Sequence, residues 1–161
     1  MPHILNIATA CLLNDAGRLL VVRKRGAHYF MLPGGKAEPG ETAAGTLIRE
    51  LDEELALETD ESQLQYLGHF ESRAANEPDH WVKAEVFVAR LSTPVKIQAE
   101  IEESGWIAID GDSERLAPLL REEVLPALRR RLDLSCARNS GDGQGDIGSL
   151  AGKVSSNASS S

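Results

Sequence analysis

The segment Glu41 to Leu57, ETAAGTLIRELDEELAL, constrains this chain more than any other. At about 100° per residue, Ala44, Leu47, Ile48, Leu51 and Leu55 fall in one helical sector roughly 100° wide. That sector is a face made to be buried. Glu50, Glu53 and Glu54 occupy the neighbouring sector, because positions three and four apart share one side of a helix. Asp52 points elsewhere. The three carboxylates repel one another and crowd toward the helix C-terminus, where the macrodipole disfavours anions. Little basic compensation stands one turn away. Taken by itself, the helix reads plainly as a solvated acidic face. Its cost is easier to understand if divalent cations neutralise the cluster. Carboxylate oxygens on one rigid face, completed by phosphate oxygens and water, suit Mg²⁺ or Mn²⁺.

The preceding loop fits the same idea. Leu32-Pro33-Gly34-Gly35-Lys36 puts two glycines where the backbone must approach something closely, and Lys36 offers a cation to phosphate. A glycine pair alone is ordinarily a turn; beside this helix it means more. Net charge is −8, from 25 acidic and 17 basic residues. That argues against nonspecific nucleic-acid binding, which relies on a positive field. An acidic protein with an acidic substrate needs metal cations between the two.

A length of 161 residues fits one domain, and 42% hydrophobic residues suffice for one core. No apolar run approaches the roughly 18 residues of a membrane span. The opening Met1-Pro2-His3-Ile4 lacks the basic flank of a signal peptide. Two cysteines, Cys11 and Cys136, make no disulfide framework, and Cys11 reads as a small core residue. A cytoplasmic location is expected, without membrane or nucleic-acid partners, for a monomer or homodimer. Strands are expected over Ile4 to Leu13, Leu19 to Lys24, Gln63 to Ser72, Trp81 to Leu91 and Gly105 to Ile109, with a hairpin turn at Asn14-Asp15-Ala16-Gly17. Helices fit Glu41 to about Leu55 and Arg121 to Leu132. The class is mixed α/β (α+β): an α/β/α sandwich with a mixed sheet over residues 1–135. Residues 136–161 are expected to be a disordered tail, Gly/Ser-rich from Asn139 on, and deletion of 139–161 is expected to cost neither stability nor turnover. Within it, Asp142 to Asp146 lacks the spacing and closing Glu of a calcium loop.

Gly35, then five residues, Glu41, then seven, then Arg49-Glu50-Leu51-Asp52-Glu53-Glu54-Leu55-Ala56-Leu57 resembles the Nudix box, G-x5-E-x7-R-E-U-x-E-E-x-G-U with U aliphatic. Only Ala56 departs from it, standing where the family usually has glycine. A right-handed Ala56 that extends the helix by a residue is the expectation here, since alanine is the best helix former. The resemblance implies a Nudix fold with its catalytic loop and helix, and Mg²⁺-dependent hydrolysis of a diphosphate bond. It implies Glu50, Glu53, Glu54 and the Gly34 carbonyl as metal ligands. Arg49 orients the cluster by a salt bridge, and Glu41 supports it from the helix start. Glu100 to Trp106 resembles the family stretch in which a loop glutamate precedes a Trp-bearing strand. Glu100 is the better candidate for a further ligand or base, and Glu103 the second. Glu53, Glu54 and Glu100 compete as the base that deprotonates water. Arg23, Arg25, Lys36 and Tyr29 are candidate substrate contacts.

Substrate class is read by elimination. The SQPWPFPxS signature of NADH diphosphatases is absent, and Glu71-Ser72-Arg73-Ala74-Ala75 carries neither the proline of ADP-ribose hydrolases nor the tyrosine of dinucleoside polyphosphate hydrolases. A (deoxy)nucleoside triphosphate, an oxidised one included, leads. ADP-ribose or a nucleotide sugar is the alternative, and a non-catalytic nucleotide-sensing Nudix domain the second. His28 to Met31 offer a stacking pocket for a base, with core packing the competing role of Phe30 and Met31.

Overall fold

Alternation along the first two strands decides the architecture. In β1 (His3–Leu13) and β2 (Leu19–Lys24), Ala8, Ala10, Leu12, Leu20 and Val22 belong to one buried cluster. Cys11, Leu13, Leu19 and Val21 belong to another. Successive side chains leave a strand on opposite faces, so both faces of this sheet must be covered. The computed structural model describes residues 3–74 and 79–140, with side chains described as far as residue 133. It adds β3 (Gly34–Lys36), α1 (Ala43–Leu55), β4 (Gln65–Arg73), β5 (His80–Arg90), β6 (Ile101–Ile107) and α2 (Leu125–Ser140). The sheet runs β4-β5-β1-β2-β6, with β3 paired to β1 beside that path. β1 and β5 are parallel from His3↔His80 to Leu13↔Arg90, and the other strand pairs are antiparallel. Leu47, Leu51 and Leu55 of α1 close one face. Leu120, Val124, Leu125 and Leu128 close the other. This is the α/β/α sandwich with a mixed sheet.

The hairpin turn falls where the residues place it. Asn14 Oδ1 accepts from the N–H groups of Ala16 and Arg18 at 3.0 and 2.9 Å, and Gly17 takes φ +76. Most bounds shift by a residue or two, and four differences are larger. β3 is unannounced by local propensity; pairing with β1 makes it a strand. β6 starts at Ile101 rather than Gly105, because Glu103 and Ser104 pair with Arg23 and Val22 of β2. A π-helical turn, Leu119–Val124, precedes α2, the Leu125 N–H reaching back to the Leu120 carbonyl. α2 then runs through Ser140, beyond the residue-135 boundary expected for the folded part. Residues 141–161, most of the expected tail and all of Asp142 to Asp146, lie outside the described residues. Among the described residues no helix is long and apolar enough to cross a membrane.

One local expectation is overturned. Ala56 is left-handed, at φ 52 and ψ 36, not a further right-handed residue. Its N–H bonds the Asp52 carbonyl at 3.0 Å, and the Leu57 N–H bonds the Leu51 carbonyl at 3.2 Å. The reason is tertiary. The strand-connecting segment before β6 docks on the end of α1: Lys96 N–H reaches the Leu55 carbonyl, Gln98 N–H the Glu54 carbonyl, and Gln98 Nε2 the Asp52 carbonyl at 2.8 Å. Those carbonyls, orphaned at any helix end, are satisfied only if the chain turns away at Ala56. The left-handed form costs a residue with a Cβ about 1 kcal/mol. Ala56→Gly therefore raises the unfolding free energy by about 1 kcal/mol in urea titration. No gain would mean that the cap is unstrained.

Candidate active site

The start of α1 is organised by a guanidinium fork. Thr42 caps the helix, its hydroxyl accepting from the Gly45 N–H at 3.0 Å. Just before it, Glu41 receives Arg49 through Nε at 2.8 Å and Nη2 at 2.9 Å, a bidentate pair. Glu41 also accepts from the Glu38 N–H and the Thr46 hydroxyl. Arg49 above all, then the Glu38 N–H, hold the Glu41 carboxyl down to about 2. The same guanidinium donates to the Lys36 carbonyl at 3.1 Å. Its Nη1 lies 3.6 Å from both Glu50 Oε1 and Glu53 Oε2. Arg49 thus ties β3, the helix start and two carboxylates together.

The two glycines act differently. A Cβ on Gly34, at φ +146, would lie 2.1 Å from the Ala8 carbonyl oxygen and 2.7 Å from Thr9 Cα. A Cβ on Gly35 would lie 2.3 Å from Glu50 Oε2, so that carboxylate fills the space the glycine leaves. Glu54 is buried, 5% exposed, and accepts from the Gly34 N–H at 3.2 Å. Burial pushes its carboxyl up to about 7, against the pull of Lys24, whose Nζ stands 3.9 Å away, and of the Gly34 N–H. Glu50 is also raised, by burial first and then by Glu53. Glu100, exposed at the foot of β6, presses its charge on both Glu50 and Glu54. Glu53 is exposed. Among the described residues no three of these side chains converge closely enough to cage an ion by themselves.

The other candidate residues divide. Gly34, a candidate ligand through its carbonyl, gives its N–H to Glu54. Lys36 is exposed at the end of β3. Arg25 is exposed, and its N–H holds the Glu100 carbonyl at 2.8 Å. Arg23 is drawn elsewhere: its guanidinium binds Glu102 at 2.8 Å, Glu103 at 2.9 Å and the Ala27 carbonyl at 3.0 Å. These pairs tie the Arg23 guanidinium and the Glu103 carboxylate to one another across the β2–β6 pair. Tyr29 is half-buried. Phe30 packs on the core beneath the Arg115 guanidinium, 5.0 Å from its ring centre. Lys24 is the residue that sequence reasoning missed. Counting by two from Leu20 and Val22 puts it on the α1 side of the sheet, and that count was available.

Two hollows adjoin the carboxylates. One is a cavity of about 150 Å³ lined mainly by aliphatic side chains such as Leu5, Ile7 and Leu120, together with Gly34, Gly35 and the cationic Lys24, Lys36 and Arg73. The other is an open groove of about 540 Å³ formed by Lys24, Arg25, Gly26, Ala27, Met31, Ala99 and Glu100. Lys24 and Met31 border both. His28 and Tyr29 line neither.

A helix presenting clustered carboxylates to a glycine loop, on an α/β/α sandwich, defines a phosphoanhydride hydrolase of the Nudix type. A family profile described as NUDIX domain matches residues 4–128, and the chain belongs to that family, as a pyrophosphohydrolase of nucleoside diphosphate-linked substrates. Solved structures share the fold. The MutT protein of Methanosarcina mazei Go1 is 22% identical with a TM-score of 0.69, covering 81% of this chain and 96% of its own. A MutT NUDIX hydrolase from Burkholderia pseudomallei is 23% identical with a TM-score of 0.65, covering 78% and 98%. The NUDIX domain of Shewanella oneidensis NrtR, solved with ADP ribose, is 18% identical with a TM-score of 0.65, covering 82% and 90%. No curated protein matches the chain by sequence.

The glycines give a contrasting pair of variants. Gly34→Ala meets backbone and a disfavoured φ, and lowers stability by about 3 kcal/mol or more. Gly35→Ala meets only the movable end of Glu50. It costs less than about 1 kcal/mol, but turnover drops at least about tenfold as that carboxylate is displaced. Denaturant titration beside kinetics checks both, and equal stabilities would contradict the assignment.

Proposed function

We propose that this chain hydrolyses a diphosphate bond in a (deoxy)nucleoside triphosphate, an oxidised one included, using Mg²⁺ or Mn²⁺ held by Glu50, Glu53, Glu54 and Glu100. One observation carries the reading. Glu100 lines a groove with Lys24 and Arg25, and Lys24 and Met31 border both that groove and a largely apolar cavity. A substrate with one polyanionic end and one flat apolar end fits such a pair of spaces.

The donor set suits the ion. Magnesium is ordinarily bound through one or two carboxylates, with water and substrate phosphates completing its octahedron. Glu50, lodged in the space left by Gly35, and Glu54, steadied by the Gly34 N–H, supply hard oxygens on one rigid edge. When bound, the cation supplies charge neutralisation at the phosphates and activation of water. Lys24, Arg25 and Lys36 bind phosphate oxygens around it. The Arg49–Glu41 fork holds the carboxylates in place. Glu53, Glu54 or Glu100 takes the proton as water attacks phosphorus and the P–O–P bond breaks.

ADP-ribose and nucleotide sugars are the rival substrates, supported by the same cation-lined groove. Either way, Glu53→Gln and Glu54→Gln each lower kcat at least about a hundredfold while the circular dichroism spectrum stays unchanged. EDTA abolishes turnover, and added Mg²⁺ restores it. Near-normal kcat in either variant at saturating Mg²⁺, or undiminished turnover in EDTA, would overturn the assignment.

A further inference from the structure

We propose that Gln98 is a positioning residue for the reaction: its side chain grips the end of α1 and thereby sets Glu100 at its working distance from Glu50 and Glu54. The inference rests on the part given above to Glu100 and deepens it. Of the four carboxylates assigned to the cation, Glu100 is the one that α1 does not carry. Glu50, Glu53 and Glu54 keep their mutual spacing by helix geometry. Glu100 reaches them from the segment before β6, and its charge bears on both Glu50 and Glu54. Whatever ties that segment to α1 therefore sets the geometry of the whole group.

Three hydrogen bonds make the tie. The Lys96 N–H reaches the Leu55 carbonyl at 3.0 Å, and the Gln98 N–H reaches the Glu54 carbonyl at 2.9 Å. Both donors are main-chain groups, which any residue but proline supplies. The third bond is particular to this side chain: Gln98 Nε2 donates to the Asp52 carbonyl at 2.8 Å. One residue thus holds the carbonyls of Asp52 and Glu54, the two neighbours of Glu53. The Asp52 carbonyl already accepts the Ala56 N–H at 3.0 Å, so closure of the helix alone does not call for the glutamine.

The backbone beyond Gln98 carries the mark of being held. Ala99 takes φ 56, the left-handed region that a residue with a Cβ disfavours. The Ile101 N–H returns to the Gln98 carbonyl at 3.2 Å, closing a four-residue turn with Glu100 in its third place. On the far side the Arg25 N–H holds the Glu100 carbonyl at 2.8 Å. A strained backbone persists where its surroundings over-determine it. Gln98 on α1 and Arg25 just after β2 are the two anchors here. Between them Glu100 is fixed at the wall of the groove that it lines with Lys24 and Arg25.

The test uses Gln98→Met, which keeps the length of the side chain and removes its donor. Glu100→Gln and the double variant accompany it. Mn²⁺ alone is titrated into each protein, and the free ion is read by electron paramagnetic resonance. Amide exchange in the metal-free proteins is followed by NMR. In Gln98→Met the Arg25 amide exchanges at least about tenfold faster, while the Val22 amide, bonded to the Met31 carbonyl, keeps its wild-type rate. Gln98→Met and Glu100→Gln each weaken Mn²⁺ binding about tenfold. The double variant binds no more weakly than Glu100→Gln, because the glutamine acts only through Glu100. A glutamine with a merely structural role leaves Mn²⁺ binding untouched. Wild-type Arg25 exchange or wild-type Mn²⁺ affinity in Gln98→Met, or losses that add in the double variant, would each overturn the proposal and leave the proposed function standing. Wild-type affinity in Glu100→Gln would instead sink the part given to Glu100, and this inference with it.

Discussion

Two residues without a Cβ, pressed against one helix, hold the site together. β3 lies in register with β1 only because Gly34 brings nothing to meet the Ala8 carbonyl. α1 approaches β3 only because the Glu50 carboxylate occupies the space beside Gly35. The Arg49 fork then joins Lys36, Glu41, Glu50 and Glu53, so the loop and the helix move as one unit. At its far end the helix is tied by Lys96 and Gln98, which also fix the chain leading to Glu100. The carboxylates are held at both ends of the element that carries them.

That rigidity opposes its own electrostatics. Glu50 and Glu54 are desolvated, lie near Glu100, and have Lys24 and Arg49 as the cations acting on them. Burying like charges together lowers stability, and natural sequences accept such local conflicts chiefly at functional sites. Arg23, by contrast, braces β2 against β6 through Glu102 and Glu103, a pairing with no conflict in it. The difference between these two acidic groups separates a site from a scaffold.

Much of this was legible in the sequence. The apolar sector of α1, its carboxylate sector and the Arg49–Glu41 spacing are local patterns, and β2 runs from Leu19 to Lys24 as its residues indicate. What stayed hidden was decided by distant chain. Gly34 to Lys36 has no strand propensity and becomes β3 through β1. Ala56 takes the disfavoured handedness because residues forty positions away need the helix carbonyls. Arg23 and Lys24 are adjacent and alike in charge, and both pair with β6, yet only the fold sets Arg23 against Glu102 and Glu103 and Lys24 beside Glu54.

The central claim is that the carboxylate face and its cationic groove act on a triphosphate chain within a nucleotide. Phosphorus NMR of the products from a nucleoside triphosphate panel, run with Mg²⁺ beside ADP-ribose and a nucleotide sugar, tests it most directly. The account predicts a nucleoside monophosphate and pyrophosphate from at least one triphosphate, faster than any turnover of the two diphosphate-linked sugars. Turnover confined to ADP-ribose or the nucleotide sugar, or orthophosphate as the released fragment, would contradict it.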